Sequence, residues 1–154
     1  MVAAALLLGA CTGGDEPGAV VPSLLTPSPV PFDPAELEQR FVDRVNEERR
    51  ARGQRPLEVA PDLRAFARRH SREMRDAGAI FHSRRRERNQ IRGPIVGENV
   101  GTGSTVGQIH EAFMDSRSHR ANILLKGYTN IGVGVVVANT GIFVTQVFAR
   151  RARG

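Results

Sequence analysis

Ile131 to Val137 reads IGVGVVV and Ile142 to Phe148 reads IFVTQVF, with Ala138, Asn139, Thr140 and Gly141 between them. Both runs are apolar at nearly every position, so each is expected to be a strand covered on both faces. The short, glycine-containing connection makes the pair a hairpin. A sheet buried on both sides needs helices on each side of it. The stretch therefore predicts an α+β domain in three layers.

Upstream, the helices are readable from their ends. Asp33, Pro34 and Glu36 form an N-cap, a first-turn proline and an early acid, and Leu37, Phe41 and Val45 then recur in steps of four until Gly53 ends the pattern. Pro61 and Asp62 open a second helix with Leu63, Phe66, Ala67, His70 and Met74 on one face, stopped by Gly78. His70 shares that apolar stripe and reads as a core or boundary residue. The run RRRERNQIR (84–92) reads as a solvated loop without chemistry, and GPIVGENVGTGS (93–104) as a glycine-shaped loop or short strand edge that delivers Glu98 and Asn99. A third helix spans about residues 105–115, burying Ile109, Phe113 and Met114 and leaving His110 exposed, and a short turn or helix presents SRSHRANIL (116–124).

Of 154 residues, about 115 to 120 remain for a core once the first thirty-odd are set aside, enough for one domain. Hydrophobic content of 40% and charged content of 25% are ordinary globular values. All 22 basic residues follow Asp33, and all but one are arginine, so the folded part is more basic than the net +6 of the chain. A basic face suits anionic lipid or cell-wall polymers. No nucleic-acid partner is expected, because no aromatic platform or binding motif accompanies the arginines.

Residues 2–9, VAAALLLG, are too few to span a bilayer and read as the end of a signal peptide. Leu8, Gly9, Ala10 and Cys11 look like the lipobox of bacterial lipoproteins, which implies lipidation of Cys11 and a membrane partner through that anchor. Cys11 is the only cysteine, so no intramolecular disulfide is possible. No Lys or Arg precedes the apolar run, so a start upstream of Met1 is expected. The organisation read from this is a shortened signal segment at 1–11 and a proline-rich tether at 12–33, extended by Pro17, Pro22, Pro27, Pro29 and Pro31. One domain at 34–150 and a basic tail at 151–154 complete the chain.

Six strings occur in order: NEER (46–49), FHS (81–83), GEN (97–99), SRSHRANIL (116–124), YTNIGVGVV (128–136) and FVTQVFA (143–149). Together they resemble the CAP superfamily of cysteine-rich secretory, antigen-five and pathogenesis-related proteins, in its bacterial SCP-like form. The resemblance implies a three-layer α-β-α sandwich with a small central antiparallel sheet. Many members line a cleft with two histidines and two acids. Carried over, these are His82, Glu98 and His119. Ser116 stands where eukaryotic members have the second acid, and Phe113 where they have tryptophan. Asp115 lies about 100° further round a helix and cannot substitute.

Two imidazoles and a carboxylate supply three donors, so His82, Glu98 and His119, with a water, would suit Zn²⁺ or another divalent cation. Alternatively Glu98 or His119 acts as a general base in a metal-dependent hydrolase of peptide or cell-wall substrates. Ser116 and His119, three residues apart, raise a serine nucleophile. A polar cluster that ties helices to sheet, without substrate, is the remaining alternative. Since members are linked to sterol, fatty-acid and metal binding more than to one reaction, the resemblance implies an extracytoplasmic binding or cell-envelope module, membrane-anchored or secreted. Asn46, Arg49, Asn99, Arg120 and Asn122 are expected to fix loops and helix ends.

Overall fold

A computed structural model of the chain describes residues 33–94 and 96–151. The expected signal segment, Cys11, the tether before Asp33 and the tail beyond Arg151 lie outside the described residues.

Helix α1 (Pro34–Arg50) starts as its sequence dictates: Asp33 accepts a 2.9 Å hydrogen bond from the Ala35 amide, and Pro34 occupies the first turn. Its stripe of Leu37, Phe41, Val42 and Val45 is buried. Helix α2 (Pro61–Ala77) ends on Gly78 in the left-handed conformation (φ 61°), which glycine adopts without penalty. Between them lies β1 (Glu58–Val59). A one-turn helix, α3 (Arg85–Arg88), then precedes β2 (Val96–Gly103), α4 (Val106–Asp115), α5 (Arg117–Leu124) and the hairpin of β3 (Asn130–Ala138) and β4 (Gly141–Ala149).

The sheet order is β1-β3-β4-β2, with β2 and β3 both antiparallel to β4. The expected small antiparallel sheet is formed by β2, β4 and β3, and the two-residue β1 adds to its edge in parallel with β3. The cause lies in α1. The Asn46 side chain accepts from the Leu57 amide at 2.7 Å and donates to the Leu57 carbonyl at 3.1 Å, which lays the chain after α1 along β3. The arginine-rich run also contains α3 rather than loop alone, because the Glu87 carboxylate accepts from the Arg84 amide at 3.0 Å and caps the turn.

One face of the hairpin, including Ile131, Val133, Val135, Ile142, Val144 and Phe148, packs on α1, α4 and α5. The opposite face meets α2 at very short range. A β-carbon added to Gly132 would overlap the Leu63 backbone, and one added to Gly134 would overlap the Arg68 amide nitrogen. Beyond β1 the free edge of β3 is covered by an ion pair between a buried carboxylate and a part-exposed guanidinium. Glu38 of α1 receives Arg68 of α2 through two 2.7 Å bonds and accepts from the Val135 amide at 3.3 Å. A charge turned inward over an unpaired strand also blocks further strand addition. The Glu38 hydrogen bond holds the Arg68 pKa above its ordinary value.

His110, a surface residue by sequence, is instead buried, because α4 docks on α1 over a wider stripe than Ile109 and Phe113 alone. Both ring nitrogens lack a hydrogen-bond partner among the described residues, and the nearest carboxylate, Glu48, is 3.9 Å from Nε2. Burial holds its pKa below the ordinary histidine value, with Glu48 partly opposing.

Gly134→Ala should lower unfolding free energy by about 3 kcal/mol, since the overlap is with backbone that cannot rotate away; equilibrium denaturation measures this. A histidine with a depressed folded pKa leaves the unfolded chain binding more protons, so its stability contribution is complete above pH about 6.5 and is lost as pH falls toward the folded pKa. His110→Leu should therefore shrink the acid-side loss of stability in denaturation curves between pH about 6.5 and 5.

Candidate functional site

Side chains of β2 alternate between faces. Val100 packs with Met74 of α2, and Glu98 points to that same side. Gly97, Asn99 and Gly101 face α4 and α5, where a β-carbon on Gly101 would come within 2.9 Å of the Phe113 ring. As an edge strand, β2 lets residues from both faces approach its free side.

The loop after α2 is pinned by His70, which is buried at 2% exposure. Its Nδ1 lies 3.1 Å from Glu73 and its Nε2 2.8 Å from the Phe81 carbonyl, with the His70 and Phe81 rings edge-to-face at 5.3 Å. His70 is thus a boundary residue that anchors the segment bearing His82. From there His82 Nδ1 reaches Glu98 Oε1 at 2.8 Å, the Ser83 amide donates to the same oxygen at 3.0 Å, and the Ser83 hydroxyl donates to Oε2 at 2.5 Å. Arg88 of α3 donates to the Ser83 carbonyl and lies 3.7 Å from Glu98 Oε1. Glu98 is only 6% exposed. A buried carboxylate needs such donors.

Donation to a carboxylate assigns the proton of His82 to Nδ1 and leaves Nε2 as the available lone pair. That ring is outward, with its side chain 56% exposed.

On the other face Asn99 donates to the His119 carbonyl at 3.2 Å and to Gln146 at 3.1 Å, and it accepts from Asn122 at 2.9 Å. Asn122 also donates to the Glu98 carbonyl at 3.2 Å. These bonds hold α5 against β2. Arg120 donates to the Met114 carbonyl at 2.5 Å, and Arg49 donates to carbonyls of Arg55, Ile123 and Leu125. The His119 ring is half-buried against Phe113, centroids 4.9 Å apart. Burial, and secondarily the charge of His82, hold its pKa below the ordinary value.

His82 and Glu98 are therefore in direct contact, and His119 approaches from the opposite face. The expected three-ligand set is not formed: no three His, Cys, Asp or Glu side chains converge as metal donors among the described residues. The reason is strand alternation together with the claims of Ser83 and His82 on both Glu98 oxygens. Ser116 is the extended N-cap of the turn that carries His119 (ψ 122°), and its hydroxyl lies 3.2 Å from that of Ser118 rather than bonding to the imidazole. No Ser-His couple forms. Sequence reasoning missed Ser83 and Arg88. Ser83 stood in the FHS string beside His82, whereas nothing distinguishes Arg88 within its arginine run.

The chain matches the cysteine-rich secretory protein (CAP) family over residues 42–148. It is 31% identical over 132 residues to the uncharacterized protein YkwD of Bacillus subtilis (strain 168), covering 80% of this chain and 51% of that one. The chain thus spans about half the length of that relative. Among solved structures it is similar to an outer surface protein of Borrelia burgdorferi, with TM-score 0.71, 16% identity, and coverage of 79% of this chain and 97% of that one. It is also similar to an extracellular SCP-domain protein of Bacillus anthracis str. Ames, with TM-score 0.64, 24% identity, and coverage of 79% and 45%. At these identities the structural likeness speaks for the fold, and the family match speaks for descent: the chain belongs to the cysteine-rich secretory protein family, CAP.

Proposed function

We propose that this CAP domain is an extracytoplasmic binding module whose cleft holds a divalent cation such as Zn²⁺ between His82 and His119, with Glu98 behind His82. The observation that carries the reading is the 2.8 Å contact from His82 Nδ1 to buried Glu98. A carboxylate on the far nitrogen fixes the tautomer and the ring and makes Nε2 a better ligand. His119 supports the reading because its depressed pKa keeps a ring nitrogen unprotonated to lower pH. Two imidazoles leave coordination positions for water or an oxygen-bearing ligand, and a bound cation would supply a Lewis-acid point there. Binding is favoured over hydrolysis because both Glu98 oxygens are engaged by Ser83 and His82, so this acid is not free to activate water.

Export is supported by the lipobox-like string at Leu8–Cys11 and by the likeness to an outer surface protein and to an extracellular SCP-domain protein. Cys11→Ala should move the chain from the membrane fraction to the soluble one on immunoblots of fractionated cells; continued membrane association would contradict anchoring there.

Calorimetry on chelator-treated protein tests the site. Zn²⁺ should bind saturably at neutral pH, and His82→Ala and His119→Ala should each abolish the signal. Glu98→Gln, checked for intact fold by circular dichroism, should weaken affinity about 10- to 100-fold, the usual effect of losing such an outer partner. Wild-type binding by both histidine variants would contradict the reading.

A further inference from the structure

A cavity of about 790 Å³ lies apart from the histidines, between the turn that follows α1 and the segment that joins α5 to β3. Arg49, Arg55, Lys126 and Arg151 line it, against the single carboxylate of Glu58. We propose that this cavity is a binding site for a phosphate group.

The argument begins with Arg49, which is 1% exposed. Its Nε donates to the Arg55 carbonyl at 2.9 Å, and its Nη1 to the carbonyls of Ile123 at 2.8 Å and Leu125 at 3.1 Å. No carboxylate forms an ion pair with it among the described residues. Carbonyl dipoles orient a buried guanidinium but leave its charge without a counterion, an arrangement that disfavours the empty cavity and favours an anion in it. The cost is visible in its pKa, which burial holds below the ordinary arginine value.

Arg151 supplies a second, oriented donor. Its Nη atoms lie 3.0 and 2.5 Å from the two Asp62 oxygens, which fixes the guanidinium plane. Its Nε is buried without a partner among the described residues. The Gln54 amide oxygen is likewise buried and unpaired, and the amide turned over presents N–H donors in its place. Arg55 and Lys126 form no ion pair among the described residues and add charge at the cavity lining. Guanidinium groups arriving from separate elements, with a lysine, match a tetrahedral oxyanion, whose several oxygens accept from more than one direction. Two sources carry this chemistry, a phospholipid headgroup and a soluble phosphate or phosphate ester.

The test compares the full chain with an Arg55→Gln, Lys126→Gln double variant, two exposed positions. Thermal unfolding in inorganic phosphate against chloride at matched ionic strength should show saturable stabilisation, with apparent affinity falling about tenfold or more in the variant, as expected for loss of charge-assisted hydrogen bonds. Sedimentation with phosphatidylglycerol and phosphatidylcholine vesicles, on the Cys11→Ala background, separates the sources. Binding to the anionic vesicles that phosphate displaces assigns a headgroup; stabilisation by phosphate without vesicle binding assigns a soluble ligand. Stabilisation no greater than in chloride, or equal in the double variant, would overturn the proposal.

Discussion

The backbone of α2 rests directly on two glycines of β3, and most of the molecule is arranged around that contact. With Gly132 and Gly134 beneath Leu63 and Arg68, the helix sits closer to the sheet than any side chain would permit. The intervening residues, Ile131, Val133 and Val135, then point to the other face and build the larger core with α1, α4 and α5. Close approach also sets Arg68 within reach of Glu38 around the edge of β3, so that an ion pair joins helices from opposite layers. The position of α2 in turn determines where Gly78 releases the chain toward His82.

The surroundings of Glu98 are organised by a second geometric fact, the edge position of β2. A strand sends alternate side chains to opposite faces, and at an edge the two sets can meet around its free side. Glu98 goes toward α2 and is met by Ser83, His82 and Arg88; Asn99 goes toward α5 and holds the backbone of His119. Burying a carboxylate without partners would cost several kcal/mol. Here the donors that offset that cost also orient an imidazole, so the structural and chemical roles of Glu98 are the same set of bonds.

Much of this was legible in the chain. Caps at Asp33, Pro61 and Gly78 and the stripes of α1 and α2 marked both long helices, and the hairpin followed from its apolar runs. His82, Glu98 and His119 came from ordered strings shared with the family, since residues from three separate elements carry no spacing signal of their own. What escaped notice depended on tertiary contacts. Strand β1 is two residues long and exists through Asn46; α3 hides in a charged run; His110 looks like a surface residue until α1 covers it. Within the apolar run IGVGVVV the alternation of Gly132 and Gly134 marks which face takes the close helix. The separation of Glu98 from a joint ligand set with the histidines was also invisible, because it depends on Ser83 claiming the carboxylate.

The most direct measurement of the central claim, that Glu98 presents the outer nitrogen of His82 to a cation, is long-range ¹H–¹⁵N correlation of the histidine rings during Zn²⁺ titration. The account predicts His82 as the Nδ1–H tautomer before metal, with its Nε2 resonance and one ring nitrogen of His119 shifting together as Zn²⁺ is added. A proton on Nε2 of His82, or ring resonances of both residues that do not respond to Zn²⁺, would contradict it.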